Sequence, residues 1–471
     1  MSIVATYANG RLQAPHLKGT YPTGGAFTVW NNVLKEFYLP GVTDVLNNKR
    51  VLSRVLRRNG PDISVSGSYI KSLARYGRNH GSMQIAEGAP LPDPKGQSYD
   101  DQFFMTKGNY GRILLEARAM SASRNSRGAF IRLMDGEVQG LMQDVLVEEN
   151  RIYFGNGSGR LSTVSVLSTG SVISTKDPGG IPSQAKGTQY LEAGMRVCFV
   201  VTASETKNPG EEVSADFHAS DTGERVATIT DVDAANGTIT LDKSFSGGQA
   251  LPVGTYIYKA GTVEDAANIT GMNTNRGNEM HGLAAAISDT DLPMAEVGAQ
   301  VIGGSPTKGY GSVPVQGNSW WKSSVVSNGG VPMPWSENLI QTLLDLMDQA
   351  ADGEVTQMMG THGIRRQWAA QLSASQRFVN TVEYQRGFKA LAYNGIPFLV
   401  DKDCQRGRVY AMNDKMIGLA YEADWSWIDE DGSVLSRLDN YHAFQAALYR
   451  FANLYTRARN QMGLITDVHD V

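Results

Sequence analysis

The sequence predicts an α+β fold that carries an inserted β-rich module. Three observations support this prediction. The 471-residue chain contains 51 glycines, above the average share of about 7%, and glycine favours turns. One long segment repeats apolar residues at helical spacing, and another is dominated by Ser, Thr, Gly and Val. With 41% hydrophobic and 19% charged residues, the chain is globular and long enough for two or three cores.

Charge and cysteine content exclude several classes of function. The chain has 43 Lys+Arg and 47 Asp+Glu, a net charge of -4, so its overall balance does not indicate a nucleic acid or membrane partner. Any DNA contact must be local. Cys198 and Cys404 lie far apart and form no CxxC motif, which favours two buried thiols. The N-terminus has no signal-peptide pattern and no run of 18 apolar residues occurs, so we expect synthesis and assembly inside a cell.

The first segment predicts an arm followed by a short basic helix. Residues 1–45 are rich in Gly, Pro, Asn and Tyr with little periodicity, which is typical of an extended arm. In residues 49–58 the apolar side chains fall at helical spacing. The basic side chains of this helix are Lys49, Arg50, Arg54, Arg57 and Arg58. They form either a solvated charged face or a surface for nucleic acid or an acidic partner.

Residues 61–112 predict a large two-stranded hairpin. Ile63, Val65 and Tyr69 alternate with serines, and the chain returns after a turn region at 88–96. Arms of about 20 residues would reach ~65 Å, beyond the ~19 Å radius of gyration of a 300-residue body. Because an isolated ribbon is marginally stable, we expect it to project and to pack on another subunit.

A long amphipathic helix is predicted next. After a cap at Asn125 or Ser126, apolar residues recur at intervals of four, four, three and four up to Val145. The pattern runs to Phe154 and ends at Gly155, so about 29 residues make a rod of ~44 Å. This helix should bury one face along its length.

Residues 161–262 predict a small β module. Short strands are expected at 196–202, 224–232, 238–241 and 255–258, with a hairpin turn at Asn236-Gly237. Mixed helix and strand patterns resume on both sides, so the module is an insertion in a discontinuous domain.

The last third returns to regular patterning. A helix capped by Ser336 and a second helix at 362–378 precede strands at 388–393 and 396–400, joined by Asn394-Gly395. Residues 441–465 fit a strand or a helix equally well.

The sequence contains no catalytic or metal-binding constellation. The seven histidines include no i, i+4 pair, and no GxSxG elbow occurs. Gly155-Asn-Gly-Ser-Gly159 follows a helix, whereas a phosphate loop precedes one. We therefore expect no enzyme activity, no metal and no cofactor.

Together these segments resemble the major capsid protein of tailed phages. The resemblance rests on the order of arm, hairpin, long helix, inserted module and helix pair, and on the run Asn394-Gly-Ile-Pro-Phe-Leu-Val-Asp-Lys-Asp403 followed by Gly407-Arg-Val-Tyr-Ala-Met-Asn-Asp414. It implies a Hong Kong 97-like capsid fold with an N-arm, an E-loop, a peripheral domain with a spine helix, and an axial domain. It also implies hexamers and pentamers that form an icosahedral shell around double-stranded DNA, a location in the virion and assembly in the host cytoplasm.

The resemblance also divides the chain into regions. They are the N-arm 1–58, the E-loop 59–112, the peripheral domain with its spine helix 113–160, the inserted β-rich domain 161–262, the peripheral continuation 263–330, the axial domain 331–424, and the return to the peripheral domain 425–471.

Partners and candidate contact residues follow from the same resemblance. The chain has no long helical delta domain at its N-terminus, which suggests a separate scaffolding protein, alongside a portal, a cement protein and weakly bound packaged DNA. The candidate contacts to DNA or scaffold on the interior are Arg50, Arg54, Arg57 and Arg58. The candidate intersubunit contacts on the E-loop are Lys71, Lys95 and Lys107; relatives crosslink such a lysine to an asparagine, but here noncovalent locking is favoured.

Two alternatives stay open. An encapsulin-like compartment shares the fold but encloses protein cargo. A β-rich surface-binding protein would use residues 161–262 as a ligand module and would be a monomer or small oligomer.

Overall fold

The structure is a computed structural model. It describes residues 7–8, 11–12, 51–58, 63–66, 69–77, 79, 81, 84–87, 93, 95–116, 127–168, 170–183, 186–200, 226–245, 251–260, 277–291, 301–302, 305–306, 309–351, 353–374, 381–384, 388–429, 434–437 and 443–470.

Both helices and strands are present in this part of the chain. The α-helices are α1 (Val51–Val55), α2 (Arg127–Phe154), α3 (Leu283–Ala286), α4 (Glu337–Ala351) and α5 (His362–Ala374). The strands are β1 (Tyr7–Ala8), β2 (Arg11–Leu12), β3 (Arg57–Arg58), β4 (Ser64–Ser66), β5 (Tyr69–Gly77), β6 (Ser98–Met105), β7 (Lys107–Glu116), β8 (Arg160–Val164), β9 (Gly170–Lys176), β10 (Arg196–Val200), β11 (Val226–Asp233), β12 (Thr238–Phe245), β13 (Tyr256–Lys259), β14 (Val301–Ile302), β15 (Ser305–Pro306), β16 (Ser324–Val326), β17 (Gln357–Gly360), β18 (Thr381–Tyr384), β19 (Phe388–Tyr393), β20 (Ile396–Val400), β21 (Val409–Met412), β22 (Ile417–Trp427), β23 (Ser436–Arg437), β24 (Ala443–Thr456) and β25 (Gly463–Ile465).

These elements make a mixed α+β protein, which confirms the predicted class. The larger sheets run in the order β16-β25-β21-β17-β20-β19-β18 and β23-β24-β22-β3, the latter with β7 paired to β24. Strands β4, β5 and β6 form a smaller sheet, and β8 to β13 close into a barrel. The strands β1 and β2 form a short separate pair, as do β14 and β15.

The described residues divide into two compact units. One contains 109–147, 423–450 and the described part of 1–50. Its core packs one face of α2, including Val138 and Met142, against strand residues such as Ile113, Trp425 and Leu448. Gly111 is needed there, because a Cβ at this position would lie 2.8 Å from Leu141 Cδ1. The other unit contains 51–108, 148–422 and 451–471.

The barrel occupies part of the second unit and has its own core. Its strand order is β10-β11-β12-β9-β8-β13, with β13 paired to β10. The four strands expected in this stretch are confirmed where the structure describes them, whereas the predicted residues 201–202 and 224–225 lie outside the described part. Gly237 takes a φ of 72° in the predicted turn. The interior is lined by aliphatic and aromatic side chains that include Leu161, Ile173, Phe199 and Ile257.

The seven-stranded sheet packs against α4 and α5. The sequence predicted both helices, although α5 ends at Ala374 and residues 375–380 lie outside the described part. The Asn394-Gly395 turn is confirmed, since both residues have positive φ, 49° and 83°, as a type I′ turn requires. Trp335, Trp368 and Phe398 pack between helices and sheet with ring centroids 5.5 to 6.3 Å apart.

The long helix is confirmed almost residue for residue, with 28 residues from Arg127 to Phe154. Its last turn is capped from another part of the chain. The Gln405 side chain donates from Nε2 to the Phe154 carbonyl at 2.6 Å and accepts from the Tyr410 hydroxyl at 2.8 Å. This satisfies a carbonyl that the end of a helix leaves unpaired.

The hairpin differs from the prediction in two ways. A third strand, β4, pairs with β5, and the β5-β6 ladder is short, from Tyr69 opposite Met105 to Gly77 opposite Ser98. A nine-residue strand spans about 30 Å, half of the predicted reach. The turn region at 88–96 is described only in part.

One other expectation is corrected, and one open alternative is decided. The basic helix is shorter than predicted: α1 ends at Val55, and Arg57 and Arg58 form β3, which pairs with Gly418 and Leu419. The ambiguous segment 441–465 forms the 14-residue β24 and then β25, with a short 3-10 helix at Arg459–Gln461 between them, and residues 441–442 lie outside the described part. Within β24 burial alternates from Gln445 to Arg450, so one face of this part of the strand packs inward and the other is partly exposed.

Candidate functional site

The most distinctive surface is the outer face of the ribbon, which we define as β5 and β6. Successive side chains point to opposite faces of a strand, and here one face is exposed. It carries large apolar side chains with exposed fractions of 37% for Tyr69, 47% for Leu73 and 52% for Tyr99, alongside the charged side chains of Lys71 and Asp101. Single exposed apolar residues are ordinary, but three large ones on one face of a strand pair make that face a candidate interaction surface.

The inner face of the ribbon packs within its own chain. Ile70 and Phe104 lie opposite each other and are fully buried. The Phe104 ring meets Tyr310 edge to face, with centroids 5.0 Å apart. Because this face is held in the core, the ribbon presents its outer face in one orientation.

The three candidate lysines have different environments. Lys71 forms an ion pair with Asp101 at 2.7 Å and lies 5.7 Å from the Phe103 ring centroid, on the outer face. Lys95 is exposed. Lys107 donates to the Gly277 carbonyl at 2.8 Å, and its burial lowers its pKa. Lys107 is thus engaged inside its own chain, whereas Lys71 and Lys95 are accessible.

A buried polar network at the base of the ribbon was missed by sequence reasoning. Asn453 donates to the Met105 carbonyl at 2.7 Å and accepts from the His281 backbone N–H at 2.9 Å. The His281 ring lies 3.2 Å from Asn453 Nδ2, and burial, with the nearby charge of Lys107, lowers its pKa to about 3. A single histidine and a distant asparagine carry no spacing signal, so only the folded chain brings them together.

A second cluster joins the end of α2 to the barrel. Arg151, which is buried, pairs with Glu148 at 2.9 Å and with Glu279, and Lys259 of β13 lies 3.6 Å from Glu148. Burial opposes ionisation of Glu148, but the charges of Arg151 and Lys259 outweigh it and lower its pKa to about 2. Burial likewise disfavours the Arg151 cation, yet Glu279 and Glu148 raise its pKa. Both charges are therefore stabilised in the folded state.

The four candidate arginines lie on different elements. Arg50 is outside the described residues. Arg54 is exposed on α1, and Arg58 on β3 donates to the Ser53 carbonyl at 3.5 Å. Arg57 is on the same strand, and its side chain is outside the described part. The single helical stripe expected from the sequence is thus divided between a helix and a strand.

The described residues show no arrangement suited to metal chemistry. Within them no group of three or more His, Cys, Asp and Glu side chains is positioned to bind a metal ion. Cys198 and Cys404 are both buried thiols, as predicted. In the same residues, every helix is too short or too polar to span a bilayer.

Comparison with known proteins finds structural neighbours only. No family model matches the sequence, and no curated protein matches it. The chain is similar to a cyanophage A-1(L) capsid, with 10% identity and a TM-score of 0.45 over 86% of this chain and 90% of that one. It is also similar to the capsid of a native GTA particle, with 8% identity and a TM-score of 0.40 over 98% of each chain.

An encapsulin complex from Synechococcus elongatus matches less of the chain. The identity is 13% and the TM-score 0.24, over 31% of this chain and 53% of that one. A virus-like particle from Pyrococcus furiosus is also similar, with 6% identity and a TM-score of 0.33 over 93% of this chain and 99% of that one.

Proposed function

We propose that this chain is the major capsid protein of a tailed bacteriophage. Many copies form hexamers and pentamers, and these close an icosahedral shell around the double-stranded DNA genome. The role is mechanical, and the residues that serve it are those that meet neighbouring copies.

The observation that carries this proposal is the two-faced ribbon. Its inner face is anchored by Ile70 and Phe104, while its outer face exposes Tyr69, Leu73 and Tyr99. Covering such a face with a neighbouring copy removes apolar surface from water, which stabilises an assembly by roughly 25 cal/mol for each Å². A chain that acted alone would leave this surface exposed in every molecule.

The order of elements supports a Hong Kong 97-like arrangement. In this proposal 59–112 is the E-loop, α2 is the spine helix within 113–160, and 331–424 is the axial domain, with 1–58 as the N-arm. The barrel belongs to the inserted domain 161–262, and 263–330 and 425–471 complete the peripheral domain. The strand β24 supports the last assignment, because it pairs with both β22 and β7.

The proposed partners are other copies of the chain, a scaffolding protein, a portal, a cement protein and packaged DNA. The exposed Arg54 supports a local contact with DNA or scaffold. Lys71 and Lys95 are accessible for intersubunit contacts. Assembly would take place in the host cytoplasm.

Electron microscopy of the full chain, expressed alone and then with the scaffolding protein from its own genome, tests the proposal. Closed shells, tubes or capsomer rings are expected. A species that stays monomeric in both expressions would contradict assembly. Nucleic acid extracted from particles made during infection separates a phage shell, which holds genomic DNA, from a compartment that holds protein.

A further inference from the structure

One end of the barrel carries an apolar surface that the ribbon does not explain. We define the barrel tip as residues 165–168, 170–172 and 251–254. Four aliphatic side chains there have exposed fractions of 58% for Val166, 60% for Leu167, 54% for Val172 and 56% for Val253. They belong to two separate stretches of sequence.

Backbone hydrogen bonds hold these stretches side by side. Ser168 and Leu251 exchange two bonds, of 3.1 and 3.0 Å. Gly254 donates to the Val164 carbonyl at 3.0 Å, and Ser165 donates to the Ser174 carbonyl at 2.9 Å. Since both turns are bonded to the same strand end, the four exposed side chains share one end of the barrel.

The tip is supported from beneath by buried residues. Leu251, Ile173 and Val164 have no exposed surface and belong to the barrel core. The barrel is closed, so it has no free strand edge to pair with another chain. A partner would have to contact the side chains of the tip.

The sequence around the tip contains no charge. Residues 161–175 and 244–258 include no Asp, Glu, Lys, Arg or His, although charged residues make up 19% of the chain. Where identical surfaces meet around a symmetry axis, a charged group lies near the same group of the neighbouring copy. Like charges in close contact repel each other. An uncharged apolar surface avoids this repulsion and is complementary to itself.

We propose that the barrel tip is a contact between copies of this chain, in which tips of neighbouring copies meet around a symmetry axis. The inference rests on the proposed function, because it needs an assembly that brings barrels together. It assigns the inserted barrel a role in linking neighbouring copies, independent of the ribbon.

Charge substitutions at Leu167 in the full chain test this contact. Leu167→Asp alone and Leu167→Lys alone each place like charges at the axis, and we expect either to lower the particle yield about tenfold. Coexpression of the two variants places opposite charges together and should restore most of the yield. Ala234→Asp, at the exposed turn on the opposite end of the barrel, is the matched control and should assemble like the unaltered chain.

The readouts separate this inference from the proposed function. If the unaltered chain forms no particles with its scaffolding protein, the proposed function fails. If it forms particles and Leu167→Asp forms them equally well, the tip contact alone is overturned. If coexpression of the two Leu167 variants does not restore the particle yield, the tip contact is overturned as well, since the tip would then face a different partner. Circular dichroism checks folding, and if a Leu167 variant does not fold, the pair Val253→Asp and Val253→Lys replaces it.

Discussion

At the scale of single residues, buried charges are the most consequential feature of this chain. Arg151 and Glu148 lie at the end of α2, and Glu279 lies in a loop 128 residues beyond Arg151. The charges of Arg151 and Lys259 together balance those of the two glutamates. Desolvation makes such a cluster costly unless every charge is paired. Its residues therefore depend strongly on one another, and protonation of Glu148 should lower stability.

The sign of the pH dependence follows from the lowered pKa of Glu148. Its ordinary value of 4.5 falls to about 2 in the folded chain. The stabilising contribution is fully present above pH 4.5 and is lost as the pH falls towards 2. We expect Glu148→Gln to lower the unfolding temperature by about 3 °C at pH 6, and the difference from the unaltered chain to shrink below pH 4.5.

Differential scanning calorimetry of the unassembled chain measures this difference at each pH. Glu354→Gln is the control, since Glu354 pairs with Lys415 at 3.1 Å with 71% of its side chain exposed. Exposed ion pairs of this kind contribute little to the free energy of unfolding. A difference that stayed constant between pH 6 and pH 3 would contradict the assigned pKa.

At the scale of elements, the ribbon shows how one strand pair can serve two purposes. Alternation directs Ile70 and Phe104 inward and Leu73 and Tyr99 outward. The inner residues fix the ribbon to its own unit, and the outer residues remain available for contact with another copy of the chain. Changes on the two faces should therefore have different effects.

We expect Leu73→Asp and Tyr99→Asp to abolish assembly while leaving the fold intact. Exposed substitutions usually change the free energy of unfolding by no more than about 0.5 kcal/mol, but a charge buried in an apolar contact is expensive. Sedimentation and electron microscopy measure assembly, and circular dichroism measures folding. Tyr99→Phe keeps the ring and should assemble; normal assembly of both Asp variants would exclude the ribbon as a contact.

At the scale of the whole molecule, the proposed shell would have to hold its genome without strong binding by any one subunit. The net charge of -4 means that attraction to DNA has to come from local basic residues. The sequence suggests the four candidate arginines for this role, and the side chain of Arg54 is exposed to solvent. Many weak contacts, repeated in every copy, would suffice.

Changing Arg50, Arg54, Arg57 and Arg58 to glutamine should weaken genome retention and leave empty shells intact. The salt dependence of DNA release should decrease by about 1 in slope for each arginine that contacts a phosphate. DNA release from purified particles, titrated with salt, measures this. Particles with Lys402→Gln and Arg406→Gln, two exposed charges, are the control, and unchanged retention in the fourfold variant would remove the arginine hypothesis.

The sequence by itself determined the elements whose signals are local. A period of 3.6 located α2 to within one or two residues, and Asn-Gly pairs located two hairpin turns. The prediction of a single helix over the basic segment 49–58 was wrong, because Arg57 and Arg58 form β3, whose pairing with Gly418 and Leu419 overrides the helical pattern. Strand β4 beside the ribbon was also missed, since three residues carry too little periodicity.

Only the tertiary structure decided which residues act together. Arg151 with Glu279, Asn453 with His281, and the two halves of the barrel tip lie between about 80 and 170 residues apart in sequence, and no spacing connects them. Helix and turn signals arise from neighbours along the chain, so a sequence displays them directly. Burial, pairing of charges and the exposed apolar surfaces arise from packing between distant segments, and they exist only once the chain has folded.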